Sequence, residues 1–203
     1  LATNDLLPAA SLTVTPLEPL QVRLGYAKTV SRPDFRELSP ATFNDVTGGR
    51  LTFGNPELKR ATIDHFDLRL DWFLGPGELL SFSLFRKQFT DPVETIVVVS
   101  AQQSVTWSNA ASATNDGVEV EFRKELPANF YSAGNLALIR SQIDLGGAGG
   151  IQTNAERALQ GQSPYTVNAQ VGWDHPDRGD RFTVLFNTVG PRIVEVGAAG
   201  APD

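Results

Sequence analysis

The sequence predicts an all-β chain, part of an antiparallel up-and-down transmembrane β-barrel represented by about eight strands. Two observations predict it. Long stretches alternate apolar and polar residues with period two, which places the two sets on opposite faces of a strand and would scramble them on a helix. The links between these stretches are also asymmetric, short and then long in turn. Short links fall near Pro16 to Pro19, Gly75 to Glu78, Pro127 to Asn129 and Asp174 to Asp180. Long polar ones span Arg32 to Arg60, Thr90 to Asn115 and Asp144 to Ser163. A closed sheet that satisfies its backbone in lipid is built this way, with tight turns on one side of the membrane and large loops on the other.

Four hairpins follow in order. A short strand near Ser11 to Leu17 precedes Gln21 to Ser31, where Val22, Leu24 and Tyr26 oppose Arg23, Gly25 and Ala27. The clearest alternation is Ala61 to Leu74. Phe66, Leu68, Leu70, Trp72 and Leu74 share one face, and His65, Asp67, Arg69 and Asp71 the other. Gly75-Pro76-Gly77-Glu78 turns the chain, and Leu80, Phe82 and Leu84 return opposite Ser81, Ser83 and Phe85. In the third hairpin Val118, Val120 and Phe122 alternate with Glu119, Glu121 and Arg123 before Pro127. Its return strand, about Phe130 to Ile143, has two partly apolar faces, so its orientation stays open. Tyr165 to Trp173 and Arg181 to Val189 form the last pair. The spacing averages roughly 25 residues per strand, wider than the 8–12 of a sandwich. No helix is needed to explain the pattern, and the Gly146 to Gly150 cluster reads as a mobile loop tip.

The apolar sets, Val22, Leu24, Tyr26, Phe66, Leu68, Leu70, Trp72, Val118, Val120 and Phe122, are therefore expected to face lipid. Arg23, His65, Asp67, Arg69, Asp71, Glu119, Glu121 and Arg123 are expected to line a wet lumen. Tyr26, Trp72, Tyr165 and Trp173 lie near strand ends, where amphipathic rings favour the headgroup boundary.

Composition narrows the function classes. A net charge of -6 with both signs interspersed argues against nucleic-acid binding. The chain has no Cys and two His, so nucleophilic triads have few members, and no phosphate loop, nucleophile elbow or zinc helix motif is present. Asp64, His65, Asp67 and Asp71 suggest metal ligands at first, but alternation puts Asp64 on the opposite face from the others. Glu119 and Glu121 form a polar ladder without a cleft. No enzyme activity, cofactor or metal is expected. A soluble β-sandwich that binds or adheres is the alternative, and it would hide Leu68, Leu70 and Trp72 against a second sheet.

Several segments resemble the barrel region of TonB-dependent outer-membrane receptors, in particular those with an N-terminal carboxypeptidase-regulatory-like domain. They are Tyr26 to Leu38 with its Arg32-Pro33-Asp34-Phe35-Arg36-Glu37-Leu38 ending, Gly54-Asn55-Pro56-Glu57-Leu58-Lys59-Arg60, Asn115 to Phe122 and Leu159 to Tyr165. The resemblance implies that residues 1–203 are part of one receptor barrel domain, with a lumen plug and the final strands lying outside the chain. It further implies the bacterial outer membrane as location. The implied partners are outer-membrane lipid, the TonB complex through a region N-terminal to this chain, and an extracellular ligand of unknown identity. Energy-coupled uptake of a scarce ligand is the implied function, this segment giving lumen wall and extracellular loops. Ligand contacts are expected in the three long links, with Trp107 as aromatic anchor and Arg36 and Arg50 as cationic candidates. Asp34, Arg36 and Glu37 have a second reading, as residues that fix loop geometry.

Overall fold

The computed structural model describes residues 4–43, 50–99, 104–149, 151–175, 177–198, 200–201 and 203. The loop expectations that fall on 44–49, 100–103 and Gly150 lie outside the described residues. In chain order the elements are β1 (Ala9–Leu17), β2 (Leu20–Ser31), α1 (Phe35–Leu38), β3 (Thr42–Phe43), β4 (Thr52–Phe53), β5 (Ala61–Gly75), β6 (Glu78–Thr90) and β7 (Val93–Val98). There follow β8 (Ser104–Asn109), β9 (Ser112–Leu126), β10 (Phe130–Asp144), a 3-10 turn (Gly146–Gly149), β11 (Glu156–Arg157), β12 (Tyr165–His175) and β13 (Asp180–Val189).

Eight long strands form one antiparallel wall in the order β1-β2-β5-β6-β9-β10-β12-β13, each paired with its neighbours in the chain of hairpins. β1 and β13 are not paired, so the sheet is open. The tight links carry the backbone chemistry their turns need. In Gly75-Pro76-Gly77-Glu78, Pro76 presets its own φ and Gly77 takes φ +77°, the pairing a type II turn requires. The link after Pro127 places both Ala128 and Asn129 at positive φ.

Register fixes the faces. Val22 pairs with Leu70, Leu24 with Leu68 and Tyr26 with Phe66; on the next strands Leu70 pairs with Phe82 and Phe82 with Val120. All ten residues of the apolar set thus lie on one face. The orientation left open for Phe130 to Ile143 is resolved by pairing: Leu136 and Leu138 oppose Val120 and Val118, joining the apolar face. Among the described residues no second sheet covers that face. Trp72 is 50% exposed and Leu24, Phe66, Leu84 and Phe122 are exposed as well, which is where the sandwich reading fails.

One aromatic of the polar face, Phe85, has its place made by a glycine. It sits opposite Gly117, where a Cβ would come within 2.3 Å of the Phe85 ring. The ring lies over the bare glycine backbone, an arrangement known from designed sheets as well.

The long links are not structureless. β3, β4, β8 and β7 make a separate four-stranded sheet in that order, with β4 and β8 parallel. The buried apolar residues all lie at this end of the wall or beyond it. One cluster joins Ala110, Ala113, Ile143 and Leu145 with Phe89 and Leu159; another joins Val97, Val196 and Ala198 with Ile151 and Ile193. Gly146–Gly149, in the cluster expected to be a loop tip, form a 3-10 turn beside buried Leu145, with the Gly146 N–H donating to Asp144 Oδ1 at 2.8 Å. The helix the sequence did not call for is four residues long.

Candidate functional site in the loop layer

The two segments that carried the resemblance in the first long link meet in space. Glu37 turns back on the start of α1, its carboxylate accepting the Asp34 N–H at 2.8 Å, which stabilises a short helix that propensity alone would not hold. The strand-like stretch after it then docks on the helix end: Gly54 N–H donates to Ser39 O at 2.9 Å and Asn55 N–H to Glu37 O at 2.6 Å. A Cβ at Gly54 would lie 2.3 Å from Ser39 O and 2.7 Å from Glu37 O, so only glycine allows this approach.

Two asparagines stitch this link to the second. Asn55 Nδ2 donates to Trp107 O at 3.0 Å. Asn109 accepts the Lys59 N–H at 2.7 Å and donates to both Lys59 O and Asp91 O. Since a side-chain amide offers two donors and two acceptor lone pairs, each residue can bridge separate backbone stretches. The third link joins through Gln152, which donates to Thr95 O at 3.1 Å, and Gln160, which donates to Val194 O at 2.6 Å.

A cavity of about 470 Å³ opens among these links, lined by Glu37, Glu94, Trp107, Gln160 and Arg192 with Val194. Trp107 stands on β8 and Glu94 on β7. Glu94 is 7% exposed at the side chain and faces Arg157, 3% exposed, with Glu94 Oε1 and Arg157 Nη2 3.5 Å apart. Burial pushes the Glu94 carboxyl up from its usual range, against the opposing pull of the Arg157 guanidinium and a bond from the Thr95 backbone. The pair ties β7 to β11, and so the second link to the third.

Of the three ligand candidates read from the sequence, only Trp107 lines this cavity. The Arg36 guanidinium lies over the Phe43 ring, 5.1 Å from its centre, and Arg50 donates to Val196 O at 3.3 Å; both brace loop structure. Glu94, Arg157 and Arg192 escaped the sequence reading. Glu94 does leave a trace, a lone acid inside the apolar run Val93 to Val99.

On the polar face of the wall, Asp71 is 1% exposed because arginines close over it. Arg23 Nη2 lies 2.9 Å from Asp71 Oδ2 and Arg69 Nε 2.8 Å from Asp71 Oδ1. Arg69 also reaches Glu121 at 2.9 Å and Ser81 at 3.0 Å, while the Ser81 hydroxyl bonds Asp71. His65 meets Thr29 at 2.8 Å, and Arg123 lies 3.5 Å from Glu125. Glu119 borders a smaller cavity of about 260 Å³ with Arg69, Ser83 and Asn135. Asp67 is exposed. Asp64 is on the apolar face, accepting from the Tyr26 hydroxyl at 2.8 Å.

The family profile described as TonB dependent receptor-like, beta-barrel, matches residues 2–202. The chain belongs to that family. TonB-dependent receptor barrels are bacterial outer-membrane domains, and the eight-stranded wall is a part of one. Solved structures agree on the fold. A mutant ferric enterobactin receptor PfeA from Pseudomonas aeruginosa is similar with TM-score 0.64 at 17% identity, over 91% of this chain and 27% of that one. A second PfeA mutant, in complex with enterobactin, gives TM-score 0.65 at 17% identity over 91% and 28%. The siderophore receptor PirA from the same organism gives 0.63 at 16% over 90% and 34%. This TonB-dependent receptor chain thus spans about a quarter to a third of those receptors. No curated protein matches it.

Proposed function

We propose that this chain is lumen wall and extracellular loop layer of an outer-membrane receptor that takes up a scarce ligand with energy delivered through TonB. On this reading the apolar face meets lipid, the Arg23, Arg69, Asp71 and Glu121 network lines the lumen, and the loop layer meets the outside. The observation that carries the reading is the cavity beside Trp107, bordered by links that side-chain amides and a buried ion pair hold together. Such a cavity offers an aromatic face, a cation at Arg192 and the side-chain amide of Gln160, the mixture by which a small polar solute is oriented.

Uptake by the native cell tests this. Radioiron-loaded catecholate siderophore, cobalamin and an oligosaccharide serve as three probe classes, given to wild-type cells, cells lacking the receptor and cells lacking TonB. One probe class is expected to accumulate only when both proteins are present, and Trp107→Ala to reduce that uptake by about tenfold or more, as for an aromatic anchor that a bound ligand covers. Equal accumulation of every probe in all three strains would contradict the proposal.

A further inference from the structure

Glu37 and Trp107 line the cavity from two different links, and one residue outside that lining bonds the backbone of both. Asn55 gives its N–H to Glu37 O at 2.6 Å and its side-chain Nδ2 to Trp107 O at 3.0 Å. The register explains why a side chain is needed there. β4 pairs with β8 in parallel at Thr52 and Val105, and the Val105 N–H donates to Leu51 O at 2.8 Å. β4 then ends at Phe53. The next two residues, Gly54 and Asn55, give their backbone N–H groups to Ser39 O and Glu37 O at the end of α1, so neither is left for Trp107 O. The Asn55 amide takes the place of the missing ladder donor. Its orientation is fixed as well, because Oδ1 accepts the Glu57 N–H at 2.9 Å in an Asx turn. A flipped amide would set oxygen against the Trp107 carbonyl and NH2 against the Glu57 N–H, losing both bonds. Pro56 disfavours a helical backbone at the residue before it, which narrows the choices at Asn55 further.

We propose that Asn55 is a positioning residue: without lining the cavity, it holds the Trp107 backbone in place relative to Glu37, so that the aromatic face is set before a ligand arrives. A contact residue fixed in advance raises affinity by removing an ordering cost that binding would otherwise carry. The consequence for a ligand rests on the uptake reading; the placement of Trp107 does not.

Fluorine NMR of the full-length receptor in detergent, labelled with fluorotryptophan, reads that placement, the Trp107 resonance being the one missing from Trp107→Phe. Asn55→Asp keeps an oxygen for the Glu57 N–H and removes only the donor to Trp107 O. Its Trp107 resonance should shift or broaden while the other tryptophan resonances stay in place, and trypsin should cut the first link no faster than in wild type. Asn55→Ser, uncharged and still able to bond the turn, should move the same resonance, which separates the lost donor from the added charge. Binding of the catecholate siderophore, cobalamin and oligosaccharide probes is then measured on whole cells in the cold. For the probe that wild type binds, Asn55→Asp should weaken binding about tenfold, the upper range for one hydrogen bond. In a Trp107→Ala background it should add nothing, because Asn55 acts through Trp107. An unmoved Trp107 resonance in Asn55→Asp, a shift seen only together with faster cutting of the first link, or an equal loss of binding with and without Trp107 would overturn the proposal. A receptor that binds none of the three probes counts against the uptake reading alone, and the fluorine resonance still decides the placement of Trp107.

Discussion

The wall and the loop layer solve the burial problem in opposite ways. Across the wall, side chains stand on the two faces of a single sheet, and order comes from backbone ladders of up to fifteen residues per strand. The loop layer has short strands of two to six residues and instead concentrates the buried apolar residues, the asparagine bridges and the ion pair of Glu94 with Arg157. The lesson is that the wall needs only a repeating local pattern, whereas the loop layer needs particular residues distant in sequence. A substitution in the wall should therefore act by face and depth, and one in the loops by the single partner it loses.

The largest expected effect is in the loops. Arg157→Ala leaves the Glu94 carboxylate buried without its cation, a loss of about 3–5 kcal/mol for a broken buried pair. It should appear as faster hydrogen exchange in β7 and β8 while the wall stays protected. Leu70→Arg puts a charge on the apolar face at a cost of about 2–4 kcal/mol if that position lies near the bilayer midplane, measured by denaturant unfolding in lipid. The polar-face comparison is Arg123→Leu, which loses only an exposed pair worth about 0–1 kcal/mol. Arg69 is not a fair control, since it bonds Asp71, Ser81 and Glu121. Equal losses for Leu70→Arg and Arg123→Leu would break the distinction between faces.

Gly54→Ala sharpens the loop side. Overpacking against Ser39 O and Glu37 O should cost about 1–3 kcal/mol and loosen the first link, seen as proteolytic nicking after Arg36 or Lys59 with the wall intact. The smallest effect is pH. Because burial raises the Glu94 carboxyl, the folded loops hold its proton more tightly than the unfolded chain does. Stability from this group is fully present below its ordinary value of 4.5 and declines as pH rises through the raised folded value. Hydrogen exchange of β7 across that window should quicken with pH beyond the intrinsic rate, and Glu94→Gln should abolish the excess.

These two regions also explain what could be read from the residues. Period two in Ala61 to Leu74 suffices to assign both faces, because register propagates from one strand to the next through each tight turn. In Phe130 to Ile143 both faces carry apolar residues, and only pairing with β9 decides between them. Trp107, expected as the aromatic anchor of the second long link, does line the cavity. Glu94, Arg157 and Arg192 come from two links and the segment after β13, and no local pattern brings them together. The Arg32 to Leu38 and Gly54 to Arg60 motifs were visible as words, but their physical sense, a capped turn receiving a bare glycine, required the fold.

The most direct test of the account uses the absence of cysteine from this chain. Single cysteines at 118 to 123, placed one at a time in a cysteine-free full-length receptor in lipid, are spin-labelled and exposed to oxygen and to a water-soluble nickel chelate. The account predicts period-two alternation, with 118, 120 and 122 open to oxygen dissolved in lipid and 119, 121 and 123 open to the chelate. Labels at 118, 120 and 122 shielded from both reagents would indicate a packed soluble core and contradict the barrel wall.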